Sequence, residues 1–304
     1  MDRFEVFDDG EPIAPDRTAQ AAVAVDGPSE SHSGAPVPRE RAPRDVAFTA
    51  VWRFTDLEFV VAWEPVAEST VPIPFVYTSR FRLRRDNERE KEQARARLRD
   101  RLGDEFRPVL ETLARPDIRI VVRGRSGGAS DPLARIRILA ARRGDRGYVV
   151  DQEPGETKWR SAGFTVWQVD PLRLGAAVAG LLPGSPAGRL GVVELAEPAD
   201  DLEHGLWLAP AKDTVHDPRR EGRNRFRTAA RGGAGSIDIS QGASRFGPRG
   251  VTRRGLEWAD LVADGRYVIT GPPRRAVPVG DDGLRAAIDG AIAEVVQAIR
   301  DEWA

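Results

Sequence analysis

Histidine is the side chain best able to move protons near neutral pH, and this chain has three, His32, His204 and His216. None pairs with another histidine at metal-ligand spacing. The chain has no cysteine, which excludes disulfides, thiol catalysis and cysteine metal sites. The adjacent carboxylates Asp200-Asp201 and Asp281-Asp282 fall at predicted helix starts, where the positive end of the helix dipole accounts for them. The glycines do not form a phosphate cradle. Gly233-Ala234-Gly235 lacks the third glycine of a dinucleotide fingerprint, and Gly242-Ala243-Ser244-Arg245-Phe246 lacks the closing glycine of a nucleophile elbow. What remains is arginine. All of the 46 basic residues except Lys91, Lys158 and Lys212 are arginines. A planar guanidinium with five donors recognises carboxylates, carbonyls and phosphates, so the chemistry on offer is binding rather than turnover.

Two arginine-glycine turns, Arg123-Gly124-Arg125 and Arg231-Gly232-Gly233, resemble contacts to single-stranded nucleic acid. The formal net charge of −1 supplies no general attraction to a polyanion. A nucleic-acid partner is therefore not expected. An arginine-rich nucleic-acid binder and an enzyme with an unrecognised carboxylate site stand as the alternatives to a binding protein. No metal or cofactor is expected.

The elements that must position these arginines recur. Ile118 and Ile120 alternate with polar residues as Ile237 and Ile239 do, about 119 residues later. Tyr148-Val149-Val150 follows a charged turn as Tyr267-Val268-Ile269 does, and Leu174, Ala177 and Val178 match Leu284, Ala287 and Ile288. Each copy reads as four strands and a helix, over about residues 116–183 and 235–302. A unit that cannot cover its own sheet pairs with its twin. The expected fold is α+β: a pseudo-two-fold duplicated unit with a central, mostly antiparallel sheet and flanking helices.

In the first copy, Ile118, Ile120 and Val122 share one face of a strand while Arg119, Val121 and Arg123 share the other. In the next strand Ile136 and Ile138 oppose Arg135 and Arg137, so one sheet face is core and the other begins with arginines. Between these strands Gly124 to Pro132 reads as a long glycine-rich loop where two residues would suffice.

Residues 1–45, rich in Pro, Ser, Gly and Ala, read as a disordered leader, and 46–304 as one domain. Thr55 with Glu58 predicts a capped helix to Trp63. Charged and mixed helices are expected over about 86–103 and 104–114, a strand over Leu190 to Leu195, and a basic helix around 219–230. Residues 197–216 carry no clear pattern. Leu284, Ile288, Ala291, Val295 and Ile299 line one face of a final helix from Asp281 to near Trp303. The first ten residues carry Asp2, Glu5, Asp8 and Asp9 and no apolar run. No segment is long and apolar enough to span a bilayer, so a cytoplasmic protein without membrane insertion is expected.

Several phrases together resemble the EspG family, the chaperones of ESX (type VII) secretion in actinobacteria. They are Leu57-Glu58-Phe59 before Trp63, Val71-Pro72-Ile73-Pro74-Phe75, Leu113-Ala114-Arg115-Pro116 entering a strand, and Leu181-Leu182-Pro183. The second half adds Arg231-Gly232-Gly233-Ala234-Gly235, then Trp258, Asp260 and Asp264-Gly265-Arg266-Tyr267. The leader is longer, and the region 199–230 more irregular, than in that family.

The resemblance implies a non-catalytic cytosolic chaperone. Such a protein holds a secreted PE–PPE heterodimer at the apolar helical tip of the PPE partner and presents it to the ESX machinery. Its client contacts include the loop between the second and third strands. The partner-binding residues expected here are Arg119, Arg123, Gly124, Arg125, Ser126, Gly127, Gly128 and Arg137. Whether the free protein forms a homodimer is left open.

Overall fold

In the computed structural model the described residues are 42–44, 46–67, 69–103, 105–127, 131–195 and 218–304. The leader up to residue 41, all three histidines, Asp200-Asp201, the segment 197–216 and Gly128 lie outside them.

The described chain begins its sheet with β1 (Phe48–Phe54) and continues through α1 (Asp56–Trp63), α2 (Arg84–Leu102) and α3 (Arg107–Ala114). Four strands follow: β2 (Ile118–Ser126), β3 (Arg135–Arg143), β4 (Arg146–Pro154) and β5 (Ser161–Val169). Helix α4 (Leu174–Leu181) closes this half, and β6 (Val193–Glu194) and α5 (Pro218–Thr228) lead to the next. There β7 (Arg231–Gln241), β8 (Arg253–Leu261), β9 (Gly265–Thr270) and β10 (Arg275–Pro278) precede α6 (Asp281–Trp303).

Among the described residues ten strands form one sheet in the order β1-β5-β4-β3-β2-β7-β8-β9-β10-β6. All neighbouring strands in it are antiparallel. With its flanking helices the architecture is α+β. Outward from the β2–β7 pair, β3 matches β8, β4 matches β9, and β5 matches β10. At the centre Ile120 faces Ile239.

Local signals explain most boundaries. Thr55 and Glu58 form the expected reciprocal cap of α1: the Glu58 amide donates to Thr55 Oγ1 at 3.2 Å and the Thr55 amide to Glu58 Oε2 at 3.0 Å. Helix α3 starts at Arg107, later than expected, with Pro108 in its first turn, where the missing N–H costs nothing. The strand expected over Leu190 to Leu195 is only two residues long, Val193–Glu194 at the sheet edge. Arg44, inside the stretch expected to be leader, donates from Nη2 to the Leu182 carbonyl at 2.8 Å and pairs with Asp281 at 3.3 Å.

Two glycine-rich stretches differ from expectation. Gly124, Arg125 and Ser126, expected in a loop, belong to β2, and Arg231-Gly232-Gly233, expected as a turn, opens β7. The reason is packing. Gly124 faces Gly235 across the β2–β7 junction, and the buried Trp258 ring lies over both, so a Cβ at either position would overlap it. Gly235→Val is accordingly expected to destabilise the protein by about 1–3 kcal/mol through overpacking. A thermal or urea midpoint within error of wild type would refute this account of the glycines.

One sheet face is covered by α4 and α6. Ile118, Ile120, Val122, Ile136, Ile237 and Trp258 pack there against Leu174, Val178, Leu284, Ile288 and Val295. Fully burying each large aliphatic side chain contributes roughly 1.5–3 kcal/mol. On the other face α1, α2 and α3 cover the β3–β4–β5 side, where Phe59 stacks on Phe164 with centroids 4.2 Å apart. Leu139, Ala141 and Val121 are buried beneath this layer, so the face that begins with arginines becomes core along its length. At the far side Phe226 of α5 meets Tyr267 edge-on at 5.2 Å. Between these helical layers the second face is polar.

Candidate functional site

That polar strip is set by register. Across β3, β2, β7 and β8, one line of side chains reads Arg137, Arg123, Ser236 and Glu257. The next reads Arg135, Arg125, Ala234 and Ala259. Both lines lie opposite the α4–α6 face, because their neighbours Ile136, Ile138, Val122 and Ile237 point into that core. Arg123 directly faces Arg137, and Arg125 directly faces Arg135, so four guanidinium groups form a two-by-two grid.

Like charges directly opposite on a sheet destabilise it. Compensation here is partial. Arg123 Nη1 lies 3.6 Å from Asp238 Oδ2 on β7, and Arg137 Nη2 donates to the Lys158 carbonyl at 2.9 Å. No hydrogen-bonding or ionic partner among the described residues meets the side chain of Arg125 or Arg135. Burial, and then the nearby charges of Arg135 and Arg123, push the Arg137 guanidinium down to about 10. It stays protonated at neutral pH, in an environment that disfavours its charge. Burial raises the Asp238 carboxyl, while Arg123 and a hydrogen bond with Ser236 lower it. On β8, Glu257 is engaged by Arg274 Nη2 at 2.8 and 2.9 Å, so it does not neutralise the grid.

Apolar groups flank this end of the sheet. Leu133, two residues before Arg135, is 46% exposed, and Trp159, next to the Lys158 carbonyl that binds Arg137, is 57% exposed. Arginine beside exposed aromatic and aliphatic side chains is the composition of a protein-binding surface.

The expected site residues separate into groups. Arg123, Arg125 and Arg137 come together, and Arg135 completes their grid. Arg119 stands apart: it is half-buried at the end of α3, where its Nη2 donates to the Ala114 carbonyl at 3.4 Å. Burial lowers its pKa. Gly124 points away, under Trp258. Ser126 pairs with Gly233 in the sheet. Gly127 extends that pairing, its amide donating to the Gly232 carbonyl at 2.6 Å with φ of 112°, in the region that favours glycine.

Asp238, Ser236, Glu257 and Trp159 were not expected in the site. Alternation with Ile237 and Ile239 puts Ser236 and Asp238 on the arginine face, but only the β2–β7 pairing brings them beside Arg123. Among the described residues no group of three or more His, Cys, Asp or Glu is placed to hold a metal ion. No described helix is long and apolar enough to cross a membrane.

A family model described as the EspG family matches residues 55–290, most of the chain. The chain belongs to the EspG family. Its match takes in α1 to α4, the whole arginine grid and the start of α6. No curated protein matches this EspG chain. Among solved structures it is similar to the Mycobacterium tuberculosis type VII secretion system chaperone EspG5 in complex with a PE25–PPE41 dimer, at 13% identity and a TM-score of 0.45. That similarity covers 66% of this chain and 83% of EspG5.

Proposed function

We propose that this EspG protein is a non-catalytic cytosolic chaperone that binds a secreted PE–PPE-like heterodimer, with the β3–β2–β7–β8 strip as part of its client surface. One observation carries the assignment of the surface: four arginines face one another on an open sheet face, and the side chains of two of them have no partner among the described residues. The fold tolerates their repulsion, and a client that offers carboxylates or the carbonyl-bearing end of a helix relieves it. Leu133 and Trp159 supply apolar contacts beside the charge. Family membership supports the chaperone role, and a client with an exposed apolar helical tip needs such cover to stay soluble.

The two functions of the grid predict opposite signs in one experiment. Arg125→Gln combined with Arg135→Gln removes a like-charge pair and is expected to raise the melting temperature by about 2–3 °C. The same change is expected to weaken capture of a co-expressed PE–PPE-like heterodimer from the same genome by about tenfold. Capture at wild-type affinity would remove the strip from the client site. Tight binding of single-stranded RNA that weakens steeply with salt would favour a nucleic-acid partner instead.

A further inference from the structure

On the outer side of the α1–α3 layer, away from the arginine strip, a groove of about 720 Å³ opens between α2 and α3. Buried Val61, Leu98 and Phe106 form its base, and half-buried Val66, Leu102 and Ala114 its accessible apolar surface. The rim carries Arg95, Arg99, Arg107 and Arg115 against Glu64 and Glu111. The two glutamates are already engaged: Arg95 Nη2 lies 2.7 Å from Glu64 Oε2, and Arg107 Nε lies 3.0 Å from Glu111 Oε1. Lys91 also reaches Glu64, at 2.7 Å. Arg99 and Arg115 are exposed, and neither meets a carboxylate among the described residues. Among the described residues the rim therefore carries unmatched positive charge above an apolar floor.

The walls are helical and short. The stretches of α2 and α3 along the groove each cover about two turns, or about 12 Å of axis. Three helices with an apolar seam between two of them leave the place of a fourth. We infer that this groove docks an amphipathic α-helix of two to three turns from a partner protein. Its apolar stripe lies on Val66, Leu102 and Ala114, and its acidic flanks pair with Arg99 and Arg115. Spacing at i, i+3, i+4 and i+7 sets the stripe, and glutamate or aspartate beside it sets the orientation. This site is separate from the sheet strip and does not depend on the client assignment.

The probe is a synthetic helical peptide with leucines at that spacing and glutamates on both flanks. Its twin carries lysine in place of each glutamate. Both are titrated against the full chain by fluorescence anisotropy. The acidic peptide is expected to bind, and the lysine twin at least tenfold more weakly. Arg99→Glu with Arg115→Glu, both exposed positions, is expected to weaken the acidic peptide about tenfold and to improve the lysine twin, with the melting temperature unchanged. Leu102→Glu is expected to abolish binding of both. Equal binding of the two peptides, no binding of either, or indifference to the arginine changes would overturn the proposal. So would sedimentation showing that the free chain dimerises and that these substitutions break the dimer, since the groove would then be a self-interface.

Discussion

Asp260→Ala is expected to lower the unfolding free energy by about 3–5 kcal/mol, the usual consequence of leaving one member of a buried ion pair alone. The affected partner is Arg266, whose side chain has no exposure at all. Asp260 holds it through two oxygens, at 2.6 Å to Nε and 3.0 Å to Nη2. The Pro183 carbonyl accepts from Nη2 at 2.6 Å, and Asp281 at the start of α6 lies 3.3 Å from Nη1. The Asp281 side chain is half exposed, so its pairing is screened and cannot replace Asp260. Exchanging both partners, Asp260→Leu with Arg266→Met, leaves no lone buried charge and is expected to recover part of the loss. Urea midpoints measure both. A single-variant loss below about 1 kcal/mol would show that water reaches the guanidinium.

A fragment of residues 46–184 is expected to be insoluble or molten. Cutting there strips β7 from β2 and turns a paired central strand into a bare edge, a template for aggregation. It also removes α6, which packs on β2, β7 and β8 and against α4. Ile118, Ile120, Val122, Leu174 and Val178 then lose much of their cover. Near-UV circular dichroism and urea titration read the outcome. A cooperative transition in the fragment would mean that the first half folds on its own, and the shared core would have to be abandoned.

Much of this architecture was legible in the residues because their signals are local. The capping box at Thr55 and Glu58, the period-two isoleucines of β2 and β7 and the apolar stripe of α6 needed no distant partner to be read. The glycine runs misled for the opposite reason. Gly124 looks like a turn residue and Gly235 like the end of a lead-in to its strand until Trp258, far from Gly124 in sequence, is seen to lie over both. The extent of core on the arginine face was hidden in the same way: Val121 and Leu139 alternate with arginines, and only α3 decides which of them are covered. For the site, alternation put Arg123, Arg135 and Arg137 on one face, whereas Arg125 was read into a loop and joins them only because β2 runs on to Ser126. The strand register turned them into opposed pairs, and no spacing in the sequence reported that Arg119 would slip under a helix end.

The position of α6 bears on how the molecule is made. This helix follows all ten strands of the described sheet in the sequence, yet it covers the central pair and meets α4 from the other half. While the chain is being synthesised, the apolar side of β2 and β3 is therefore complete long before its lid exists. Contacts between elements so far apart form late and leave sticky surface exposed meanwhile. A protein proposed to shield another's apolar surface thus passes through a stage on the ribosome in which its own apolar surface needs shielding.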